Sequence, residues 1–147
     1  MRLVKIISLK GFPMHHLTQI LDAHPHPQSA ENNLGKMVAQ FAECSQSCYA
    51  CADACLAEGK DMLDKLRHCI STDLACAAVT QTMATLLTRQ TAPDKNILRA
   101  VAQACEASCR SCAEECEKHA DMHAHCKHCG MICRICEKSC RDLAHLL

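Results

Sequence analysis

The sequence is poor in aromatic side chains, with no Trp, one Tyr and two Phe among 147 residues. It therefore lacks the aromatic faces on which proteins usually stack the bases of single-stranded nucleic acids. It also lacks an excess of charge, because 16 Lys and Arg balance 16 Asp and Glu. A chain without net charge has no general attraction to a phosphate backbone, so we expect no nucleic-acid partner.

Long apolar runs are missing as well. None approaches the roughly 20 residues that a membrane-spanning helix needs, so we expect no membrane insertion. The N-terminus does not resemble an export signal, because the apolar stretch from Met1 to Leu9 is short, is interrupted by Lys5 and precedes no small-residue cleavage site. We therefore predict that the protein is cytoplasmic.

Cysteine, by contrast, is abundant: the chain has 15, about a tenth of its residues. Such a density is typical of small secreted proteins held together by disulfides. Here, however, the count is odd, the spacings suit helices rather than loops, and the chain is long enough to bury a core without crosslinks. In a reducing cytosol, dense cysteine indicates metal or redox chemistry.

The chain divides into an extension, residues 1–28, and a bundle domain, residues 29–147. The extension contains the helix-breaking segments Gly11-Phe12-Pro13 and His24-Pro25-His26-Pro27, and we expect it to be partly flexible. We interpret its four histidines as surface residues, not as a metal site.

Four helical segments follow the extension. The first begins with Ser29 as its N-cap and ends at Glu58-Gly59, and the second runs from about Asp61 to Thr88. After a break at residues 90–93, Asp94 caps the third segment, and a turn at residues 119–121 leads to the fourth. Four helices of about 25 residues with short links predict an all-α fold, an up-down-up-down antiparallel four-helix bundle.

One spacing, Cys-x3-Cys-x2-Cys-x3-Cys, occurs three times, at residues 44–55, 105–116 and 129–140. Steps of three and four residues keep side chains on one helical face, so these thiols replace the Leu or Ile of a usual bundle core. Small buried thiols can be simple packing residues. Packing alone, however, does not require cysteine at every turn. We predict that all the cysteines bind metal: Cys44, Cys48, Cys51, Cys55, Cys69, Cys76, Cys105, Cys109, Cys112, Cys116, Cys126, Cys129, Cys133, Cys136 and Cys140.

The soft thiolate ligands favour Cu(I). Thiols at i and i+4 lie about 6 Å apart along the helix and can lean together around one ion. One Cu(I) per thiolate leaves the core neutral, which zinc would not do so simply. The spacing also differs from the Cys-x2-Cys-x2-Cys-x3-Cys-Pro of bacterial ferredoxins, which argues against an iron–sulfur cluster.

The segments CSQSCYACADAC, CEASCRSCAEECEKHADMHAHCKHC and CGMICRICEKSC resemble the cytosolic copper storage proteins. The resemblance covers roughly residues 29–147 and implies a cysteine-lined four-helix bundle that stores many Cu(I) ions and forms a homotetramer. It also implies that the protein is not an enzyme. The sequence departs from the pattern at Thr80, where another thiol is expected, so the second helix is poor in sulfur.

Antiparallel helices place most thiols toward the end formed by the first-to-second and third-to-fourth links. We call this the histidine-rich end and predict that copper enters there, with four additional ligands: Met62, His119, Met122 and His123. We interpret His68, His125 and His128 as surface residues. Asp73 is left out of the site, because Thr72 fits the helical stripe better.

The opposite end collects large apolar residues and is predicted to be a hydrophobic plug. We call it the apolar end; its residues are Leu34, Met37, Phe41, Val79, Met83, Leu86, Leu98 and Leu143.

Two other functions remain open at this point: a zinc or cadmium buffer of the metallothionein type and a thiol redox protein. For the latter the sequence offers Cys-x2-Cys pairs, but neither a strand pattern nor a lone activated cysteine.

Overall fold

The computed structural model describes residues 14–28 and 33–147. Within these ranges the chain forms five helices and no strand: α1 His15–Asp22, α2 Leu34–Leu56, α3 Lys60–Leu87, α4 Lys95–His119 and α5 Ala124–Leu146. The predicted all-α fold is confirmed. Within the same ranges, no helix is both long and apolar enough to cross a bilayer.

The four long helices form an antiparallel bundle. Each of them packs against two others, α2 and α4 both lying against α3 and α5. Links of only a few residues join successive helices, so the chain must reverse direction at each link. The core runs along the bundle axis between the four helices.

The helix ends follow the predicted signals where these can be compared. Asp94 caps α4, its Oδ1 accepting hydrogen bonds from the backbone N–H groups of Asn96 at 2.8 Å and Ile97 at 3.2 Å. Ser29, the predicted N-cap, and the helix-breaking segment Gly11-Phe12-Pro13 lie outside the described residues. In the described part, α2 begins at Leu34, after Asn33 in a left-handed conformation with φ 50°.

Part of the extension is helical, which the prolines alone did not suggest. Pro25 and Pro27 follow α1 and so do not interrupt it. A helix of eight residues is too short to be stable alone, so α1 depends on packing. It approaches α2 so closely that a Cβ added at Gly35 would lie 2.8 Å from the Thr18 hydroxyl oxygen.

Contacts from residues 14–28 reach the apolar end. Leu21 is 3% exposed and joins the core cluster. The Gln90 side chain donates to the Leu21 carbonyl at 2.9 Å, and its Oε1 accepts from the Gln28 backbone N–H at 2.6 Å. Residues 14–28 thus contact the bundle at its apolar end, while the domain boundary at residues 28 and 29 stays a prediction.

Leu21→Ala is expected to destabilise the protein by about 2 kcal/mol, at the lower end of the range for buried leucine, because the short α1 can settle into the space. The measurement is urea or thermal unfolding of the metal-free chain. The adjacent Ile20→Ala is the control, since Ile20 is 68% exposed and its loss should change stability by less than about 0.5 kcal/mol. If Leu21→Ala lowered the free energy of unfolding as little as Ile20→Ala does, the packing of α1 would add nothing to the stability of the bundle.

Candidate metal centre

All fifteen thiols are buried along the bundle axis, and all are free of disulfide bonds. Every one of the four long helices contributes thiols, with α3 supplying only Cys69 and Cys76. The predicted sulfur-poor α3 is confirmed. The fold thus holds a continuous interior column of sulfur where a bundle of this size usually has branched aliphatic side chains.

The thiols contact one another between helices. Cys48 and Cys133 have their sulfurs 3.5 Å apart, and the Cys69–Cys116 and Cys76–Cys109 pairs are both 3.7 Å apart. Cys48 also lies 4.0 Å from Cys112, across the bundle diagonal. The small side chains therefore let sulfurs from three helices come within reach of a single ion.

These contacts extend the pairing predicted from the sequence. The i,i+4 pair Cys44 and Cys48 belongs to one group with Cys76 and Cys133, in which all four sulfurs lie within 4.8 Å of one another. Cys48 and Cys133 also belong to a second group, with Cys112 and Cys129. The potential sites overlap, so neighbouring ions would have to share thiolates as bridges.

Asp73 lies within this column, although the sequence analysis assigned its place on the helical stripe to Thr72. It is 0% exposed, and its Oδ1 accepts from the thiols of Cys112 at 3.0 Å, Cys116 at 3.4 Å and Cys129 at 3.4 Å. Its Oδ2 is buried with no hydrogen-bond partner. Burial, together with the nearby Cys129, raises the pKa of Asp73 to about 7.

The preference for Thr72 overlooked a pattern on α3. Asp73 follows Cys69 by four residues and precedes Cys76 by three, and Thr80 follows four residues later. This is the spacing of the threefold repeat, with Asp and Thr in two of the four cysteine positions. Thr72 is buried too, but its hydroxyl donates to the Cys69 carbonyl at 3.0 Å and is satisfied within its own helix.

The prediction that His125 is a surface residue was also wrong. Its Nδ1 lies 3.4 Å from the Cys126 sulfur, 3.6 Å from that of Cys51 and 4.0 Å from that of Cys55. His125 stands in the first turn of α5, where side chains lean toward the N-terminal end, here the histidine-rich end of the column. His68 and His128 are exposed, as predicted.

The four additional ligands predicted at the histidine-rich end differ in exposure. Met122 is 65% exposed, whereas Met62 is half-buried and packs against the core. His119 is half-buried, with its Nε2 3.2 Å from the Glu115 carboxylate. His123 is only 8% exposed and its ring stacks at a tilt near His125, with the centroids 5.3 Å apart. Metal binding by these four residues stays a prediction.

Where burial is the main influence on a thiol's pKa, the metal-free protein favours the neutral form of that thiol. At the histidine-rich end, burial raises the pKa of Cys55 above its usual value. A metal ion must then displace the proton to gain the thiolate, so metal uptake at such a site releases protons.

The described residues at the opposite end pack mainly through large apolar side chains. Phe41 and Met83 are fully buried, Leu34, Leu98 and Leu143 are buried, and Met37, Val79 and Leu86 are partly buried against the core. The geometry agrees with the predicted plug at the apolar end.

A helical bundle lined by free thiols defines a metal-binding protein rather than a disulfide-stabilised one. The family model described as copper storage protein matches residues 30–145. The chain therefore belongs to the copper storage protein family, as the sequence resemblance predicted.

Solved structures agree with the family match. The copper storage protein Ccsp from Streptomyces lividans, loaded with 10 copper equivalents, is 38% identical with a TM-score of 0.82, covering 89% of this chain and 99% of Ccsp. The cytosolic copper storage protein from the same organism with five coppers is 43% identical, with a TM-score of 0.72 and coverage of 76% and 92%. A Ccsp variant with two histidines four residues apart changed to alanine is 41% identical, with a TM-score of 0.74 and coverage of 78% and 94%. A search of curated proteins found no match.

Proposed function

We propose that this protein stores Cu(I) in the cytoplasm, binding about one ion per thiolate inside the bundle. The observation on which this depends is the sulfur column: fifteen buried, free thiols, several of which have sulfurs between 3.5 and 4.0 Å apart across helices. A cytoplasmic setting would keep these thiols reduced.

Overlap between the four-thiol groups favours Cu(I) over zinc. A structural zinc site is closed, with four ligands of its own, and the groups that share Cys48 and Cys133 cannot both be closed in that way. Bridging thiolates serve Cu(I) well, because one monovalent ion per thiolate leaves no net charge in a dry core. Tetrathiolate zinc would leave two negative charges at each site.

Copper would enter at the histidine-rich end. There the column begins with Cys51, Cys55 and Cys126, next to the Nδ1 of His125. His119 and His123 have the same four-residue separation as the two histidines changed in the Ccsp variant. We propose four further ligands that an incoming ion meets at this end, before it reaches the column or next to it: His119, Met122, His123 and Met62.

Storage would occur in a homotetramer, as the family resemblance implies, and without catalysis. A redox enzyme needs two reactive thiols near solvent, whereas all the thiols here are buried together. We accordingly assign a binding function and no reaction.

Metal competition tests this function. The reduced, metal-free chain is exposed to excess Zn²⁺ or Cu(I) without oxygen, then to the other ion, and bound metal is measured after desalting. We expect many Cu(I) ions to remain and to displace any zinc. Zinc retained against Cu(I) would indicate a divalent-metal buffer, and uptake of only one or two ions would indicate a redox dithiol.

A further inference from the structure

A carboxylate at the histidine-rich end, Glu58, contacts both histidines that precede the column. Its Oε1 lies 3.0 Å from Nε2 of His125 and 2.9 Å from Nδ1 of His123. Glu58 belongs to the link between α2 and α3, while both histidines belong to the start of α5. One oxygen atom therefore joins the two links that form this end of the bundle.

The carboxylate can only accept hydrogen bonds, so the imidazole nitrogen facing it must donate. In a neutral histidine one ring nitrogen bears the proton and the other has a free lone pair. A proton on Nε2 of His125 leaves its Nδ1 bare, and Nδ1 is the atom that lies within 3.4 to 4.0 Å of three thiol sulfurs.

His123 shows the mirror arrangement. If Nδ1 faces Glu58 with its proton, Nε2 has the free lone pair. His123 is only 8% exposed, and this nitrogen is buried with no hydrogen-bond partner in the described part of the structure. A buried acceptor without a donor is costly in a folded protein, unless another ligand takes its place.

We propose that Glu58 is a positioning residue that fixes the proton of each histidine on the ring nitrogen facing its carboxylate. The other nitrogen, Nδ1 of His125 or Nε2 of His123, is then ready to bind Cu(I). This rests on the proposed function for its consequence, since the ready nitrogens matter only if copper is bound. The arrangement itself exists without metal. Carboxylates that hold metal-binding histidines in this way commonly change metal affinity 10- to 100-fold.

The first measurement is the histidine tautomer in the metal-free protein. Long-range nitrogen–proton NMR at pH 8, on histidine-labelled chain, should show His125 protonated at Nε2. Glu58→Ala should give a mixture of tautomers. Glu58→Gln should keep the native tautomer, because its amide oxygen can still accept. Asp121→Ala, which removes an exposed carboxylate from the adjoining link, should match the unmodified chain.

The second measurement is competition with a Cu(I) chelator at low copper loading. Glu58→Ala should bind the first ions about tenfold more weakly, Glu58→Gln less so, and saturation should be unchanged in both. Protonation of His125 at Nδ1 in the unmodified chain, or native tautomer and affinity in Glu58→Ala, would overturn the proposal. If the unmodified chain bound only a few Cu(I) ions, the storage function would be overturned instead. The NMR measurement of the histidine tautomers in the metal-free chain would still decide the role of Glu58.

Discussion

A chain with serine at Cys105, Cys109, Cys112 and Cys116 is expected to bind about 11 Cu(I) ions, against about 15 for the unmodified chain. The reason is stoichiometric. If each thiolate bridges two ions and each ion has two thiolates, every lost sulfur removes one ion. Serine is close to cysteine in shape, so the bundle should persist. Anaerobic titration against a chromophoric chelator measures the capacity.

Adding a thiol is the matched control for that loss. Thr80 is fully buried in the fourth position of the repeat on α3, and its hydroxyl donates to the Cys76 carbonyl at 2.7 Å within its own helix. Thr80→Cys should raise the capacity by about one ion. Saturation of the unmodified chain at four or fewer ions, or a capacity indifferent to both changes, would contradict storage by the sulfur column.

The sequence was sufficient to predict the bundle because its signals are local and repeated. Steps of three and four residues identify a helical face whatever the partner helix, and Asp94 caps α4 through its own backbone neighbours. The family match then confirmed the predicted copper storage protein.

What sequence reasoning missed depends on contacts between distant segments. His125 reaches Cys51 and Cys55 only because α5 starts beside the end of α2, and Glu58 meets His125 across two links. The stability of α1 likewise comes from packing rather than from its eight residues alone. Asp73 differs from these, because its place in the repeat was visible in the sequence, and it was passed over in favour of the adjacent Thr72.

The two ends of the bundle should respond differently to mutation. Replacing His119, Met122 and His123 with alanine removes the residues that we propose as the first ligands of an incoming ion and leaves all fifteen thiols in place. We expect Cu(I) transfer to and from a chelator to slow roughly tenfold, equivalent to about 1.4 kcal/mol in the barrier, at nearly constant capacity. Stopped-flow measurement of uptake and an equilibrium titration separate the two quantities.

Phe41→Ala is the corresponding change at the apolar end. Phe41 is fully buried among the plug residues, so its truncation should cost about 3 to 5 kcal/mol of stability, measured by urea unfolding of the metal-free chain. Because we propose that the ions enter at the other end, the rate of copper transfer should change little while the bundle stays folded. Transfer that is unaltered by the three replacements at the histidine-rich end, but faster in Phe41→Ala, would show that copper enters through the apolar end instead.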